Sequence, residues 1–420
     1  MPDYKSIPEK GILRILFITD NFPPEVNAPA TRTFEHCREW VQMGAHVTVI
    51  TCFPNFPQGK VYKGYKNQCI RKERVEGIDV IRVWSYITAN EGFVRRTLDY
   101  MSFAMSAFLT GLAHKPDVII ATSPQFFTTW TAFALSMIKR KPWIFELRDL
   151  WPESIKSVGA IHDGFLYRFL EKIELFLYRR AHHIIPNTYA FGDNLIRRGI
   201  PAEKISVIPN GANLELFDPG TDSGNLRESM GLGGKFVIGY IGTHGMAHAL
   251  DFVIRSIAQL QDSSYHFIFI GDGAMKKSTM QLAGDLRLDN VTFLDPVPKN
   301  KIPHYLDLID ASLAPLKKND TFKTVIPSKI FEAGAMGKPM LLGVDGQARS
   351  IVEEYGSGLY FEPENTEDFI DKVKQLAGDK ELQKRLGEGG KKLALAFDRK
   401  KLAAEMLDVL EKVAHPTRKT

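Results

Sequence analysis

The sequence predicts an α/β protein built from two Rossmann-like domains, each a doubly wound parallel sheet. Short apolar runs rich in β-branched residues alternate with segments of helical length, which is typical of parallel βα units. The alternation stops at a stretch rich in Gly, Asp and Ser, residues 217–234, and then restarts. The chain of 420 residues also exceeds the ~100–200 residues of one ordinary domain. Two such domains predict a central cleft at the carboxyl ends of both sheets, where ligands bind.

The first domain, residues 1–210, contains six predicted strands and four long helical patterns. The apolar runs that predict strands are 13–17, 46–51, 78–83, 118–121, 143–146 and 183–186. The segments with apolar residues at helical spacing are 31–43, 94–113, 128–139 and 165–181. Right-handed crossovers then place the strands side by side in a parallel sheet.

The second domain, residues 211–395, repeats this organisation. Strands are predicted at 237–239, 266–270, 291–293, 311–314 and 340–342. Helices are predicted at 251–261, 275–283, 329–336 and 366–377. The remaining segment, 396–420, contains an amphipathic helix at about 400–413, which can pack back onto the first domain.

Composition and charge narrow the class of protein. A hydrophobic content of 44% and a charged content of 25% are ordinary for a soluble globular protein. Residues 1–200 carry a net charge of +7 and the rest of the chain −2, so the first half could face anionic lipid, a diphosphate-bearing acceptor or nucleic acid. Because no zinc-finger spacing or basic repeat accompanies this charge, we expect no nucleic-acid partner. Three cysteines without CxxC spacing, and no secretory pattern at the start, predict a cytoplasmic protein.

The apolar segment 101–113 follows a pair of arginines, Arg95 and Arg96. It is shorter than the ~18 apolar residues of a spanning helix. It is either a buried helix of the α/β domain or an interfacial segment beside the arginines. The second interpretation places the protein peripherally on the cytoplasmic face of the inner membrane, in contact with anionic lipid through Phe103, Phe108 and Leu109.

The segment 327–339 places a cation and a carboxylate near the start of a short helix. Ser328 stands at the predicted N-cap. Lys329 supplies a positive charge for a phosphate, and Glu332, one turn further along, can accept two hydroxyl donors from a ribose. A capping box is the ordinary alternative, but it requires Glu or Gln at position 331, which is Phe. This pattern favours a nucleotide diphosphate as ligand.

Two glycine-containing loops follow predicted strands of the second domain. Glycines let backbone amides approach an anion closely, although a tight βα turn explains them equally well. Two histidines four residues apart could form a metal-binding face, but no HExxH pattern or third ligand accompanies them, and we predict no metal. The residues predicted to bind a donor nucleotide in these loops are Gly242, Thr243, His244, Gly245, His248, Gly271, Asp272 and Gly273.

The first domain offers two further segments at strand ends. The proline-containing loop 20–32 is rigid, so its backbone can approach an acceptor or a phosphate; a surface turn with an N-cap is the alternative. After the fifth predicted strand, Asp149 is our candidate catalytic carboxylate, and Arg148 can pair with phosphate or, alternatively, with Asp149. The residues assigned to the acceptor- or phosphate-facing surface are Asn27, Ala28, Pro29, Arg32 and Arg148.

Taken together, these segments resemble retaining glycosyltransferases of the GT-B fold, family 4. Within that family the chain is similar to the bacterial surface-polysaccharide branch that includes N-acetylfucosamine transferases. The resemblance extends over about residues 15–415. It is carried by FPPEVNAPATR, FPNFPQGKVYKGY, LRDLWPES, VIPNGAN, GYIGTHGMAHALD, IGDG, PSKIFEAGAMGKP and GSGLYFEPEN.

The resemblance implies a UDP-sugar donor in the second domain and a lipid-diphosphate-linked or oligosaccharide acceptor facing the first. It implies transfer of an N-acetylated hexosamine or deoxyhexosamine with retention, without a metal or other cofactor, in O-antigen, capsule or lipopolysaccharide synthesis. Asp149 falls near the family's catalytic His or Asp, and Glu332 matches the second acid of its paired-glutamate motif. Three positions depart from the family pattern: Thr324, Thr243 and His248 replace the first acid and the two diphosphate-binding cations.

We therefore expect other groups to take over charge stabilisation: Lys329, the amides of residues 242–245, and His248. Lys329 and Glu332 join Asp149 as the predicted catalytic residues. Two alternatives stay open at this point. A nucleotide-sugar epimerase can share the fold, and an inactive chain could serve as a binding partner in a polysaccharide assembly complex.

Overall fold

A computed structural model describes residues 11–56, 58–88, 93–123, 126–153, 164–260 and 262–416. The chain divides into two compact units. Unit 1 comprises Met1–Asn187, Phe191–Ile208 and Ala403–Thr420. Unit 2 comprises Thr188–Ala190 and Pro209–Leu402.

The described part of unit 1 contains one seven-stranded sheet in the order β3-β4-β2-β1-β5-β6-β7. All neighbouring strands pair in parallel except β3 and β4. The strands are β1 (Arg14–Ile18), β2 (His46–Cys52), β3 (Ile70–Val75), β4 (Ile78–Val83), β5 (Val118–Thr122), β6 (Trp143–Leu147) and β7 (His183–Pro186). The helices that follow these strands are α1 (Ala28–Gln42), α2 (Phe93–Leu112), α3 (Phe126–Lys139), α4 (Phe165–Arg180) and α5 (Tyr189–Arg197).

The described part of unit 2 contains a six-stranded, all-parallel sheet in the order β10-β9-β8-β11-β12-β13. Its strands are β8 (Phe236–Ile241), β9 (Tyr265–Ile270), β10 (Val291–Leu294), β11 (Ala311–Pro315), β12 (Met340–Gly343) and β13 (Gly358–Tyr360). The helices are α6 (Leu226–Ser229), α7 (Leu250–Leu260), α8 (Lys276–Asp285), α9 (Ile302–Leu308), α10 (Lys329–Ala335), α11 (Gln347–Tyr355), α12 (Thr366–Gly378) and α13 (Lys380–Ala396). The final helix, α14 (Arg399–Ala414), runs from unit 2 into unit 1.

Both sheets are doubly wound, which confirms the predicted fold class. In unit 1 the strand order reverses between β1 and β5, and in unit 2 between β8 and β11. The central strands are buried along their whole length because helices cover both faces of a parallel sheet. The carboxyl ends at each reversal form a crevice in which ligands bind in doubly wound folds.

Helix α2 is apolar on its outward face as well as on the face that packs against the core. Phe103 is fully buried in the core of unit 1 and Phe108 packs against that core, so the prediction that both enter a membrane is wrong. The exposed apolar side chains of the helix lie on one face and are between 40% and 60% exposed: Leu98, Met101, Met105, Leu109 and Leu112. Across the described ranges, we find no helix with the length and apolar character needed to span a bilayer.

Helix α14 contacts the first helix of the chain. The Trp40 Nε1 group donates a hydrogen bond to the Ala403 carbonyl oxygen at 2.8 Å, and both residues belong to unit 1. On the unit 2 side of the same helix, the buried Arg399 side chain donates to the Gly211 carbonyl oxygen. Each end of α14 is therefore anchored to a different unit.

Candidate functional site

The loops after β8 and β9 bind each other through their backbones. Gly242 N donates to Ile270 O, and His244 N donates to Asp272 O, both at 2.9 Å. A Cβ atom at Gly271 would lie 1.9 Å from Gly242 O, and one at Gly273 would lie 2.5 Å from His244 O. These two glycines are required by the close approach of the loops, which supports the tight-turn interpretation for them.

Gly242 leaves room for the Lys329 ammonium. A Cβ at Gly242 would lie only 3.2 Å from Lys329 Nζ. The ammonium lies 3.7 Å from the centroid of the Tyr240 ring, and the Tyr240 hydroxyl donates to Thr243 O at 2.5 Å, which fixes the ring. Burial lowers the pKa of Lys329 to about 7, although the Glu332 carboxylate opposes this shift. This half-buried cation can therefore gain much from a bound anion.

The two histidines of the first loop do not supply positive charge. The His244 side chain is 0% exposed and packs against Tyr240, Phe269 and Phe293. Burial lowers the pKa of His244 to about 4 and, together with Lys329, that of His248 to about 4. The buried His244 side chain cannot reach a donor, so only its backbone amide can serve the predicted donor-binding role. Burial disfavours a charge on His248, and its predicted part in charge stabilisation stays a prediction. Their backbones still shape the loop.

Glu332 lies on α10 with its side chain 14% exposed. Its Oε1 atom accepts a hydrogen bond from the Lys299 ammonium, which also lies 4.8 Å from the centroid of the Phe217 ring. Sequence reasoning did not identify Lys299; its position shortly after the carboxyl end of β10 was the available signal. Glu332 therefore has a protein partner, Lys299, and its contact with a ribose stays a prediction.

The start of α10 differs from the prediction. Ser328 stands at the N-cap position, as predicted, but it has helical backbone angles and its side chain makes no capping hydrogen bond. The helix itself has seven residues. Thr324, which stands where the family has its first acid, ends a 3₁₀ turn and donates through Oγ1 to Thr321 O at 2.8 Å. The cation of Lys329, and not a long helix dipole, is the main attraction for an anion here.

The remaining predicted residues of unit 2 lie in the loops after β8 and β9. Gly245 follows His244 at the end of the β8 loop, and a Cβ there would lie 3.2 Å from His248 Nδ1. Asp272 is exposed, and its Oδ1 accepts from Gly273 N at 2.8 Å. A separate cavity of about 500 Å³ opens beside them at the ends of β11, β12 and β13, lined by residues that include Phe322, Asp345 and Tyr360. The carboxyl edge of this sheet thus carries both the predicted residues and open space.

In unit 1 the loop after β1 is held by Asn27. Its Oδ1 accepts from Ala30 N and its Nδ2 donates to Asn21 Oδ1, both at 2.8 Å, so Asn27 caps α1, as in the alternative of a turn with an N-cap. Ala28 and Pro29 form the first turn of the helix, and Pro29 O accepts from Arg148 Nη1 at 3.1 Å. This arrangement leaves Asn27 and Pro29 on the wall of a cavity of about 210 Å³.

Arg32 lies in the core and not on the acceptor-facing surface. Its Nε donates to Glu146 Oε1 at 2.9 Å, both side chains are 2% exposed, and its Nη2 donates to Ile208 O at 2.8 Å. Burial would raise the pKa of Glu146, but the guanidinium groups of Arg32 and Arg148 hold it below its ordinary value. The predicted phosphate-facing role of Arg32 is therefore wrong, because its charge is neutralised internally.

Asp149 lies two residues beyond β6, at the carboxyl edge of the sheet, and is half-buried. Arg148 before it donates through its backbone N to Ser123 Oγ at 2.8 Å, and burial lowers the pKa of its guanidinium to about 10. Trp151 stacks on Phe126 with 4.2 Å between ring centroids. Residue 154 of the same motif lies outside the described residues. Among the described residues, no three His, Cys, Asp or Glu side chains come together as metal ligands.

Comparison with known proteins identifies the class. A family model for a glycosyl transferase 4-like domain matches residues 27–211, and one for glycosyl transferases group 1 matches residues 222–393. Among solved structures, sucrose-phosphate synthase of Thermosynechococcus elongatus has a TM-score of 0.78 at 16% identity, covering 96% of this chain and 99% of its own. Anabaena HepE, determined in complex with UDP and glucose, has a TM-score of 0.71 at 20% identity, covering 95% and 99%. The fold is therefore that of the GT-B glycosyltransferases.

Curated relatives agree with this class. The putative colanic acid biosynthesis glycosyl transferase WcaI of Escherichia coli is 25% identical over 86% of this chain and 92% of its own length. The putative teichuronic acid biosynthesis glycosyltransferase TuaH of Bacillus subtilis is 28% identical over 56% of this chain and 58% of its own. The chain belongs to the glycosyltransferases that join a 4-like domain to a group 1 domain.

Proposed function

We propose that the protein is a retaining glycosyltransferase of surface-polysaccharide biosynthesis. It transfers an N-acetylated hexosamine or deoxyhexosamine from a UDP-sugar to a lipid-diphosphate-linked or oligosaccharide acceptor. The observation that carries the proposal is the half-buried Lys329 ammonium beside Gly242. The UDP found in Anabaena HepE supports the nucleotide, and the names of WcaI and TuaH support the pathway class.

On this proposal, unit 2 binds the donor. The diphosphate pairs with Lys329, whose half-buried position makes a bound anion more favourable than it would be in water. The ribose hydroxyls donate to the Glu332 carboxylate, which Lys299 orients. Stabilisation of charge on the departing diphosphate then lowers the barrier, since these groups are positioned before the reaction.

Asp149 supplies the carboxylate of unit 1 that steers the positively charged sugar as the bond to the diphosphate breaks. The donor phosphate assists removal of the acceptor proton. No metal ion is required in this scheme, because the Lys329 ammonium stabilises the negative charge that develops on the leaving diphosphate. Helix α2 contacts anionic membrane through its exposed apolar face, which brings a lipid-linked acceptor to the enzyme on the cytoplasmic side.

The test is a screen of nucleotide sugars with a lipid-diphosphate sugar acceptor in the presence of EDTA. We expect label to pass from one UDP-sugar to the lipid, and Lys329→Met to abolish transfer. Lys277→Met, an exposed lysine on α8, is the matched control and should stay active. Conversion of the donor without acceptor would indicate an epimerase, and loss of transfer that Mg²⁺ restores would contradict metal independence. UDP binding without any turnover would indicate an inactive partner protein.

A further inference from the structure

The cavity of unit 1 is lined by polar groups of several kinds. Its volume is about 210 Å³, smaller than the ~300–1,000 Å³ of a pocket for a drug-sized ligand, so it fits one small ring. Carboxyl groups come from the loop after β1 and from α2, namely Asp20, Glu25 and Asp99. Amide, hydroxyl and guanidinium groups come from Asn21, Thr122 and Arg96.

The cavity walls are held in place from behind. Glu25 Oε1 accepts from Asn55 N at 2.7 Å and from Phe56 N at 2.9 Å, which ties the loop after β2 to the loop after β1. The buried Arg82 donates through Nη2 to Pro23 O at 2.5 Å and through Nη1 to Cys52 O at 3.2 Å. On the α2 side, Arg96 Nη2 donates to the Tyr100 hydroxyl at 2.9 Å. The polar groups are therefore preorganised, which lowers the cost of ordering them around a ligand.

We propose that this cavity binds a neutral sugar ring of the acceptor through its hydroxyl groups and excludes phosphate. The inference rests on the proposed function, which supplies the acceptor. Asp20 and Asp99 are the residues that determine this specificity. The carboxyl oxygens of Asp20 and Asp99 can accept hydrogen bonds from hydroxyls, whereas the carboxylates of Glu25 and Asp99 outnumber the single guanidinium of Arg96 and repel a phosphate dianion.

The protonation of the two aspartates suits a polyol. Burial, followed by the charges of Glu25 and Asp99, raises the pKa of Asp20 to about 8. Burial raises the pKa of Asp99 to about 6. At pH 7 the Asp20 carboxyl is mostly protonated and can both donate and accept, while Asp99 is mostly an acceptor. A sugar hydroxyl also both donates and accepts, so the two sets of groups match.

The experiment is saturation-transfer NMR on the full-length protein with a neutral methyl hexoside, the methyl N-acetylhexosaminide, the methyl hexosaminide and a methyl hexoside 6-phosphate. We expect at least one neutral glycoside to bind and the phosphate not to bind. Asp99→Asn should weaken the neutral glycoside roughly tenfold, because it removes a charged hydrogen-bond acceptor. Asp20→Ala should weaken it to a similar extent, because it removes a carboxyl group that both donates and accepts. Asp99→Lys should admit the phosphate. Asp193→Asn, an exposed acid on α5, is the matched control and should change nothing.

The outcomes separate this inference from the proposed function. UDP affinity, measured on the same samples by calorimetry, reports on unit 2. The inference is supported if both aspartate variants bind the glycoside more weakly while their UDP affinity is unchanged. Unfolding of these variants at the wild-type temperature excludes misfolding. UDP binding with no neutral glycoside bound, or equal binding of the 6-phosphate, overturns the inference and leaves the proposed function standing. Preference for the hexosaminide cation over every neutral ring also overturns it. Glycoside binding without UDP binding overturns the proposed function alone.

Discussion

Lys329 is a residue whose charge depends on its ligand. Its ammonium lies against the Tyr240 ring and beside Gly242, and burial brings its pKa to about 7. An isolated lysine titrates near 10.4, so the folded protein holds this side chain about half protonated at neutral pH. A diphosphate in contact with it favours the charged form and raises its pKa again. Donor binding is therefore coupled to proton uptake.

The first prediction concerns the pH dependence of UDP binding. Above about pH 7 the free protein loses the Lys329 proton, and the complex must regain it, so UDP affinity should fall by about tenfold per pH unit up to about pH 9. Calorimetry in buffers with different ionisation enthalpies should show uptake of about one proton. Lys329→Arg is the control, because arginine stays charged in this range and its profile should be flat. A flat profile for the wild type would contradict the coupling.

The second prediction concerns Glu332 and its partner Lys299. Glu332→Ala should weaken UDP binding by on the order of 2–4 kcal/mol, because two ribose hydroxyls lose their acceptor. It also leaves the Lys299 ammonium unpaired, so some loss of folding stability is expected. Calorimetry and thermal unfolding measure the two effects.

A matched pair of ligands distinguishes loss of the ribose contact from a general loss of folding or of UDP binding. The wild type should bind UDP far more tightly than 2′,3′-dideoxy-UDP, and Glu332→Gln should reduce this preference. Lys299→Met should reduce the preference less, since Glu332 remains but is no longer oriented. If Glu332→Ala left UDP affinity unchanged, the ribose assignment would be wrong.

At the scale of elements, the glycine loops after β8 and β9 form one structural piece. We predict that Gly271→Ala destabilises unit 2 by on the order of 2–4 kcal/mol. The new Cβ would lie 1.9 Å from the Gly242 carbonyl oxygen, a backbone atom, and the φ angle of +146° is unfavourable for alanine. Urea unfolding followed by circular dichroism measures the change. Gly284→Ala in α8, where a Cβ meets nothing within 4 Å, should instead be neutral or stabilising.

The same scale shows what local sequence patterns can and cannot predict. Central strands are apolar runs because both faces are buried, and all of those predicted are present. Strand β3 was missed because it reads IRKERV, a charged edge strand with no fully buried residue. Helix α13 was missed because it contains three glycines, including Gly390. A Cβ at that position would lie 3.0 Å from Gly334 Cα of α10, so these glycines permit close helix packing and do not break the helix.

Some residues of the candidate site could also be predicted from the sequence, and others could not. Residues that follow a strand, such as Gly242, Asp149 and Asn27, could be placed from the sequence because a parallel sheet brings its carboxyl ends to one edge. Pairs of residues that are far apart along the chain could not be predicted from the sequence. The Arg32–Glu146 pair and the Lys299–Glu332 pair depend on tertiary packing, which no local pattern encodes. Consequently Arg32 was assigned to a ligand although it neutralises a buried acid.

At the scale of the whole molecule, charge and apolar surface coincide in unit 1. Residues 1–200 carry a net charge of +7, and α2 presents five apolar side chains on one face. The neighbouring helix α3 is linked to α2 by the Lys139 Nζ hydrogen bond to Leu112 O. It exposes Met137 and Ile138, and Arg140 directly after it is also exposed. An apolar surface next to cations matches the chemistry of an anionic membrane. Arg96 is not part of it, since its guanidinium lines the cavity of unit 1.

We predict that this face docks on anionic membrane and that Met105→Asp with Leu109→Asp releases the protein. Both side chains are 60% exposed, so the change spares the core, and each carboxylate removes apolar burial and adds repulsion from the lipid. The wild type should sediment with vesicles that contain anionic lipid and less so as salt is raised; Arg95→Glu should weaken this by ~1 kcal/mol. Leu395→Asp with Met280→Asp, exposed apolar residues of unit 2, is the control and should sediment like the wild type. Equal sedimentation of all variants, or none by the wild type, would make α2 an ordinary helix of the α/β domain.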